Sequence, residues 1–228
     1  MEIYILFQKG AKNMKKMDIV YEDKELLVVN KEPNYLTIAT DKEKYKTLYH
    51  EASMYVKKQH PRNKVFIVHR LDKDTSGIVV FAKNENKKRE LQNNWENTKR
   101  EYYAIVSGKM PKQKDTLKSY LVEDKTLNVH STKNPRLGKL AITEYEVIAS
   151  DSAFSLLRIN IKTGRKNQIR VQLSDIGHPI VGDKKYGCKH NIMRRMALHA
   201  YLIEYTSKGK TYKFITDYPK EFKRMFNV

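Results

Sequence analysis

Short apolar runs of strand length recur along most of this 228-residue chain, with brief polar segments between them. The runs are rich in β-branched and aromatic residues, which favour extended backbone. We predict two strands within 18–30 and single strands at 64–68, 77–83, 100–106, 141–149 and 154–161. A final pair of strands, 199–205 and 211–216, is predicted to form a hairpin. Because the connections are short, we predict an α+β fold around a large, mixed, mostly antiparallel sheet flanked by helices and loops.

Three segments have the features of helices. Residues 47–59 carry apolar side chains at helical spacing, and His60-Pro61 ends that pattern. Asn84 can cap a second helix that runs to about residue 97, and 166–175 predicts a third, short helix. Residues 111–139 are polar and irregular, which indicates a hairpin and a loop.

The charge balance indicates a polyanionic partner. The chain has 45 Lys plus Arg against 26 Asp plus Glu, a net charge of +19. Such an excess is typical of proteins that bind nucleic acid or an anionic membrane surface. No apolar run is long enough to cross a bilayer, and the single Cys188 excludes an internal disulfide framework. We therefore expect a cytoplasmic protein, with no metal held by the histidines near Cys188.

The stretch HRLDKDTSG at residues 69–77 places Asp72 and Asp74 among cations, between two predicted strands. A cation beside Asp72 could orient its carboxylate as a nucleophile or base. An ion-paired aspartate that caps a turn is the alternative, and this short motif alone favours the turn.

The same residues also fit a second chemistry. Asp72, Asp74 and Thr75 match the DxDxT pattern of magnesium-dependent phosphatases of the haloacid dehalogenase type, in which the first aspartate attacks phosphorus. That chemistry needs a further acidic pair downstream to complete the Mg²⁺ site. The best candidate segment, 182–187, offers only Asp183.

A basic segment follows near the carboxyl end. Residues 162–195 contain nine Lys or Arg and two acids, Asp175 and Asp183, with glycines that let the backbone approach a phosphate. On the predicted helix, Arg170 lies four residues after Lys166. One arginine could pair with a buried carboxylate while other cations meet phosphates.

Four stretches in order carry a family resemblance: VYEDKELLVVNKEPNYL, HRLDKDTSG, KREYYAIVSG and TGRKNQIRVQLSDIGHPIVGDKKYG. Together they closely resemble the RluA-type pseudouridine synthases over about residues 18–216. The combination is far more specific than any one motif. The resemblance implies a catalytic domain over 18–228, after an N-terminal extension at 1–17 and without a separate accessory RNA-binding domain.

Catalytic roles are implied by position in these motifs. Asp72 matches the catalytic aspartate, Tyr102 the tyrosine that stacks on the flipped base, and Arg170 the arginine that ion-pairs with the aspartate. Arg70 matches the arginine that fills the gap left by the extruded base. Asp74 is not a catalytic position in that family.

The resemblance also implies RNA as the partner, in the form of a ribosomal or transfer RNA stem-loop. The residues expected to bind RNA are His69, Arg70, Thr75, Lys162, Arg165, Asn167, Gln168, Lys184 and Lys185. The implied reaction needs no cofactor and no metal. We expect a monomer without a membrane or an obligate protein partner. A non-catalytic RNA-binding protein on the same scaffold is the remaining alternative.

Three positions depart from the family pattern. Asn167 and Gln172 stand where histidine is common, and Glu32 is added between Lys31 and Pro33. Asn167 can still donate a hydrogen bond, so we expect altered RNA contacts and unaltered chemistry. The role of Lys31 is left open by the extra residue.

Overall fold

The computed structural model describes residues 17–190 and 192–228. The chain divides into two compact units, the first formed by residues up to Thr98 with Ala200–Asp217, and the second by Lys99–His199 with Tyr218–Val228. Of the N-terminal extension predicted at 1–17, all but Met17 lies outside the described residues. A single catalytic domain over 18–228 stays a prediction.

The described residues form eleven strands and four α-helices. They are β1 (Ile19–Glu22), β2 (Leu26–Lys31), α1 (Leu48–Gln59), β3 (Phe66–Ile67), β4 (Ser76–Ala82), α2 (Glu85–Asn93), β5 (Lys99–Ser107), β6 (Lys114–Glu123), β7 (Val129–Thr132), β8 (Lys139–Ser150), β9 (Phe154–Ile161), α3 (Gln168–Asp175), β10 (Leu198–Ser207), β11 (Lys210–Ile215) and α4 (Lys220–Phe226). Two short 3-10 helices cover Trp95–Asn97 and Lys184–Tyr186.

In the first unit, β2 pairs antiparallel with both β1 and β4, β3 pairs with β4, and β10 and β11 form a hairpin. Every residue of β4 is buried, which explains why its sequence reads as one continuous apolar run. The register sets Lys31 opposite Gly77, so the end of β2 lies beside the start of β4. The loop 69–75 therefore enters the sheet next to Lys31.

Side chains cap both helices of the first unit, and the cap at Asn84 was predicted. The Thr47 side chain accepts a hydrogen bond from the backbone N–H of His50, and Asn84 does the same for Lys87 at the start of α2. The second helix is shorter than predicted and ends at Asn93. The Asn94 side chain donates to the carbonyl of Glu90, which satisfies an acceptor of the last turn.

In the second unit, five strands follow the order β5, β9, β8, β6 and β7, and each neighbouring pair is antiparallel. Alternate residues of β8 point to the core. The hairpin of β6 and β7 lies where a hairpin and a loop are predicted, but β6 extends over ten residues. Its side chains are mostly polar and half-exposed, so their pattern gave no bounds for the strand.

Helix α3 begins two residues later than predicted, because Asn167 adopts the left-handed conformation at φ 54°. Helix α4 was not predicted; it buries Phe222 completely, and this one anchor gives a weak periodic signal. None of the helices in residues 17–190 and 192–228 combines the length and apolar character that a membrane span requires. The predicted α+β class, built on mostly antiparallel strands, is confirmed.

Candidate functional site

Asp72 lies in the loop that leads from residues 65–68 into β4. The side chain of Asp72 is half-buried and that of Arg70 is exposed. The backbone carbonyl of Asp72 accepts a hydrogen bond from Thr75 N at 3.2 Å, which closes a tight turn, and Thr75 is buried. The turn predicted as an alternative therefore exists, but it is formed by the backbone of Asp72.

Lys31 is a buried cation beside this loop, with 1% of its surface exposed. Its Nζ donates to the carbonyls of Glu32 at 2.9 Å, Tyr35 at 2.7 Å and Lys73 at 3.1 Å. A buried ammonium is costly unless such acceptors replace its water. Lys31 thus links Lys73, the residue after Asp72, to the segment 32–35. Any further role of Lys31 stays open.

Thr37 fixes the residue on the other side of Asp72. Its Oγ1 donates to the carbonyl of Leu71 at 2.8 Å and accepts from Leu71 N at 3.2 Å. Tyr35 N adds a third link by donating to the carbonyl of Lys73 at 3.1 Å. Both neighbours of Asp72 are therefore hydrogen-bonded to the segment 35–37. Sequence reasoning missed this role of Thr37, because nothing local to KEPNYLT predicts the pairing.

The loop ends at Gly77, whose φ is +116°. A Cβ at this position would lie 2.1 Å from the carbonyl oxygen of Ala200. Any side chain would thus be strained in its backbone and would clash with β10. This requirement explains why a glycine closes the motif HRLDKDTSG.

His69 has internal contacts at the start of the loop. Its ring stacks on Trp95 with centroids 4.5 Å apart, and its Nε2 accepts from Val80 N at 3.0 Å. These contacts position the loop. A direct RNA contact by His69 stays a prediction.

Arg170 lies on α3 in the second unit and is buried, with 6% exposed. Its Nε donates to Oδ2 of Asp183 at 2.7 Å and its Nη2 to Oδ1 at 2.8 Å, a two-point ion pair. Its Nη1 donates to the side-chain oxygen of Asn167 at 3.2 Å. Sequence reasoning considered Asp183 only as one half of the acidic pair that a Mg²⁺ site needs. It did not predict the ion pair between Asp183 and Arg170.

Asn167 links Arg170 to the 3-10 helix at Lys184–Tyr186. Its amide nitrogen donates to the hydroxyl of Tyr186 at 2.9 Å, and the guanidinium carbon of Arg170 lies 4.9 Å from the centre of the Tyr186 ring. Burial raises the pKa of Tyr186. Asn167 is itself buried, and both ends of its amide have partners inside the unit. A contact between Asn167 and RNA stays a prediction.

Gln168 and Gln172 have similar supporting contacts. Gln168 is buried, accepts from Thr163 and Arg165, and donates to Thr143 at 2.8 Å. Gln172 donates to the hydroxyl of Ser119 at 3.0 Å and to the carbonyl of Ala141 at 3.1 Å. Both amides join α3 to the sheet of the second unit.

The exposed cations of the basic segment differ in their partners. Lys162 pairs with Glu144 at 2.9 Å, and Nε of Arg165 donates to the carbonyl of Leu140 at 3.1 Å. Lys184 and Lys185 are exposed on the 3-10 helix directly after Asp183. The ion pair of Lys162 reduces its attraction for phosphate.

Tyr102 lies on β5 opposite Ile159 of β9, and its side chain is half-buried. The neighbouring Tyr103 stacks on Tyr218 with centroids 4.0 Å apart. Asp72, Arg70 and Thr75 thus belong to the first unit, whereas Tyr102, Arg170 and the remaining basic residues belong to the second. Within the second unit, the structure groups Asn167, Arg170 and the two exposed lysines around Asp183.

Residues 25–175 match the model of a family described as RNA pseudouridylate synthase. The chain is 35% identical over 193 residues to the uncharacterized RNA pseudouridine synthase YhcT of Bacillus subtilis, covering 83% of this chain and 64% of that protein. It is 33% identical to the ribosomal large subunit pseudouridine synthase D of Borreliella burgdorferi, covering 90% of this chain and 66% of that protein. The chain thus spans slightly less than two thirds of these two relatives.

A further relative has a more similar length. The tRNA pseudouridine synthase C of Haemophilus ducreyi is 33% identical over 225 residues, covering 88% of this chain and 89% of that protein. Among solved structures, human RNA pseudouridylate synthase domain containing 4 superimposes with a TM-score of 0.77 at 21% identity, covering 90% of both chains. That likeness supports the fold.

The family model covers residues 25–175, and relatives at 33% identity cover 88–90% of the chain. The resemblance to RluA-type enzymes is therefore confirmed. The chain belongs to the RNA pseudouridylate synthase family.

Proposed function

We propose that this protein converts specific uridines of ribosomal or transfer RNA to pseudouridine, with Asp72 as the attacking group. The observation that carries the proposal is the Asp72 loop. Both neighbours of Asp72 are held by hydrogen bonds from residues 31–37, inside the segment that matches the family model. A nucleophile must be held close to its reacting position, and this loop is built to do so.

The proposed reaction is an isomerisation, in which the product contains the same atoms as the substrate. The bond between N1 and C1′ breaks, the base turns, and a bond between C5 and C1′ forms. C5 loses its proton and N1 gains one, so no oxidant, reductant or co-substrate is consumed. Asp72 attacks the target uridine or its ribose, and Tyr102 lies under the flipped base and takes part in removal of the C5 proton.

A uridine inside a stem or folded loop must leave its stack before its glycosidic bond can be reached. An aromatic ring such as that of Tyr102 contributes roughly 1–3 kcal/mol by stacking on the extruded base. The exposed Arg70 fills the space that the base leaves. Affinity comes mainly from contacts with phosphates. In this proposal Lys184 and Lys185, which are exposed, make such contacts.

Arg170 is proposed to direct the carboxylate of Asp72. A guanidinium has five N–H groups, and three of those on Arg170 are directed to Asp183 and Asn167. These bonds fix the direction of the guanidinium within the second unit.

The phosphatase alternative loses its best downstream ligand. Both carboxylate oxygens of Asp183 accept from Arg170, and Oδ1 also accepts from Tyr186 N at 3.3 Å. A carboxylate held in this way is poorly placed to coordinate Mg²⁺. The ribosomal and transfer RNA names of the relatives support RNA as the substrate class, and a cytoplasmic monomer remains our expectation.

Pseudouridine mapping of total RNA from cells with and without this gene tests the proposal. We expect at least one uridine to lose its modification in the deletion strain. The purified protein, treated with EDTA, should restore the modification on that RNA. If no position changes and the protein hydrolyses phosphate esters only with Mg²⁺, the proposal is wrong and the DxDxT chemistry is favoured.

A further inference from the structure

Tyr45 is an exposed aromatic residue in the loop 38–46, which precedes the cap of helix α1. It has 70% of its surface exposed, whereas every other Phe, Trp and Tyr side chain in the described part of the chain is buried or half-buried. Its ring meets the ring of His50 with centroids 5.5 Å apart and planes at 79°, so most of the Tyr45 ring stays in solvent. A single exposed aromatic residue is common on protein surfaces. Its rigidity, position and charged neighbours therefore decide whether it binds a partner.

Hydrogen bonds within the loop hold the backbone of Tyr45 in place. The backbone N–H groups of Thr40 and Glu43 each donate to the other's carbonyl, at 2.9 Å and 3.3 Å. The Oε1 atom of Glu43 accepts from the backbone N–H of Tyr45 at 3.1 Å and from that of Lys46 at 2.9 Å. A side chain presented from a fixed backbone loses less conformational entropy when it binds. The loop is therefore suited to present the Tyr45 ring to a partner.

The base of the loop is joined to the residues that hold the Asp72 loop. Leu36 and Thr47, on either side of the loop, form a parallel bridge. The residue after Leu36 is Thr37, whose hydroxyl donates to the carbonyl of Leu71 and accepts from its N–H. The same short segment thus supports both loops.

This connection limits the distance between Tyr45 and Asp72, which belong to the same unit. The path between them has four Cα–Cα steps of about 3.8 Å and two hydrogen-bonded contacts of about 5–7 Å between Cα atoms. The two residues are therefore separated by less than about 30 Å. A single folded stem-loop can contact both of them at once.

The charges beside Tyr45 favour an anionic partner. The exposed charged side chains of the loop are one acid, Asp41, and three lysines, Lys42, Lys44 and Lys46. The second acid, Glu43, is half-buried, and its Oε1 already accepts two backbone N–H groups. An aromatic ring among cations is the arrangement that binds single-stranded nucleic acid, with a base on the ring and phosphates near the cations.

We propose that Tyr45 stacks on an unpaired base of the substrate RNA, close to the target uridine, and that Lys44 and Lys46 contact the adjoining phosphates. This inference rests on the proposed function, because it requires RNA bound at Asp72. The stacked base belongs to a second nucleotide, distinct from the uridine that is flipped. Tyr45 thus favours RNAs in which an unpaired base lies at the required distance from the uridine.

A double-mutant cycle between protein and RNA tests this stacking. The protein variants are Tyr45→Ala, which removes the ring, and Tyr45→Phe, which keeps it. The matched control is Met54→Ala, because Met54 is another exposed apolar side chain of the same unit, with 47% of its surface exposed. The RNA is a stem-loop that contains the uridine found by mapping, with each unpaired nucleotide near that uridine replaced in turn by an abasic one. Dissociation constants are measured by filter binding, and circular dichroism checks folding.

We expect Tyr45→Ala to weaken RNA binding by about 10-fold, because one stack between a base and an aromatic ring is lost. Tyr45→Phe should keep most of the affinity, and Met54→Ala should bind as the wild type does. At one RNA position, the abasic change should weaken binding to the wild type by a similar factor. The same change should have little further effect on Tyr45→Ala, since the two partners of one contact are coupled.

The inference is overturned if folded Tyr45→Ala binds the RNA as tightly as the wild type. It is also overturned if the losses from Tyr45→Ala and from the abasic change multiply at every RNA position, or if Tyr45→Phe loses as much affinity as Tyr45→Ala. Failure of the proposed function gives a different result, because the wild-type protein would then leave the mapped uridine of this stem-loop unconverted.

Discussion

Replacing Lys31 by methionine removes the ammonium that binds the carbonyls of Glu32, Tyr35 and Lys73. Methionine keeps most of the apolar stem, so packing around the side chain changes little. The three carbonyls lose a charged donor at a position that is 1% exposed, where water has little access. The perturbation therefore acts on the backbone next to Asp72.

The expected magnitude follows from these contacts. A hydrogen bond with a charged partner contributes about 1.5–3 kcal/mol, and the cost of burying the ammonium offsets part of that gain. We expect a loss of about 3 kcal/mol in the free energy of unfolding, or roughly 6–12 °C in Tm. In the folded fraction, the displaced Asp72 should lower kcat by about 10²-fold.

The assay follows tritium released from RNA labelled at C5 of uridine, because the isomerisation exchanges the C5 hydrogen for the bond to C1′. Rates are measured well below the Tm of the variant, at saturating RNA. The control is Lys24→Met, the same chemical change on an exposed side chain of the β1–β2 turn. A folded Lys31→Met protein with a normal kcat would refute the argument that Lys31 positions Asp72.

The other predictions concern the attacking group, the basic surface and one pH-dependent contact. Asp72→Asn should lower turnover by about 10³-fold or more and leave RNA affinity nearly unchanged, as filter binding can check. Lys184→Gln with Lys185→Gln should weaken binding and reduce the salt slope, so an unchanged slope would place the RNA elsewhere. Burial alone would raise the pKa of Glu22, but hydrogen bonds from Lys83, Tyr55 and Gln59 lower it below 4.5. Its stabilising effect is therefore present above that pH and lost as the pH falls through the lowered pKa. Glu22→Gln should destabilise the protein in urea unfolding near pH 7, and this effect should shrink steadily as the pH is lowered below 4.5; an effect that does not change with pH would contradict this account.

Local chemistry explains why much of the first unit could be predicted. The cap of α2 is a side chain three residues from the N–H group that it binds, so Asn84 was recognisable from sequence. Strand β4 was recognisable because both of its faces are buried. The same reasoning predicted a hairpin within 111–139 without the bounds of β6, and it did not predict α4, whose buried residue is Phe222.

The amino-acid sequence by itself determined the α+β class, the order of the four motifs and the choice of Asp72, Tyr102 and Arg170 as candidates, because each depends on residue type and spacing along the chain. Only the tertiary structure decided which residues form hydrogen bonds with the Asp72 loop and with Arg170. Lys31 reaches the carbonyl of Lys73, 42 positions away, through the β2–β4 register, and Arg170 reaches Asp183 across a turn. Contacts between distant positions depend on strand register and backbone direction, which no local pattern specifies.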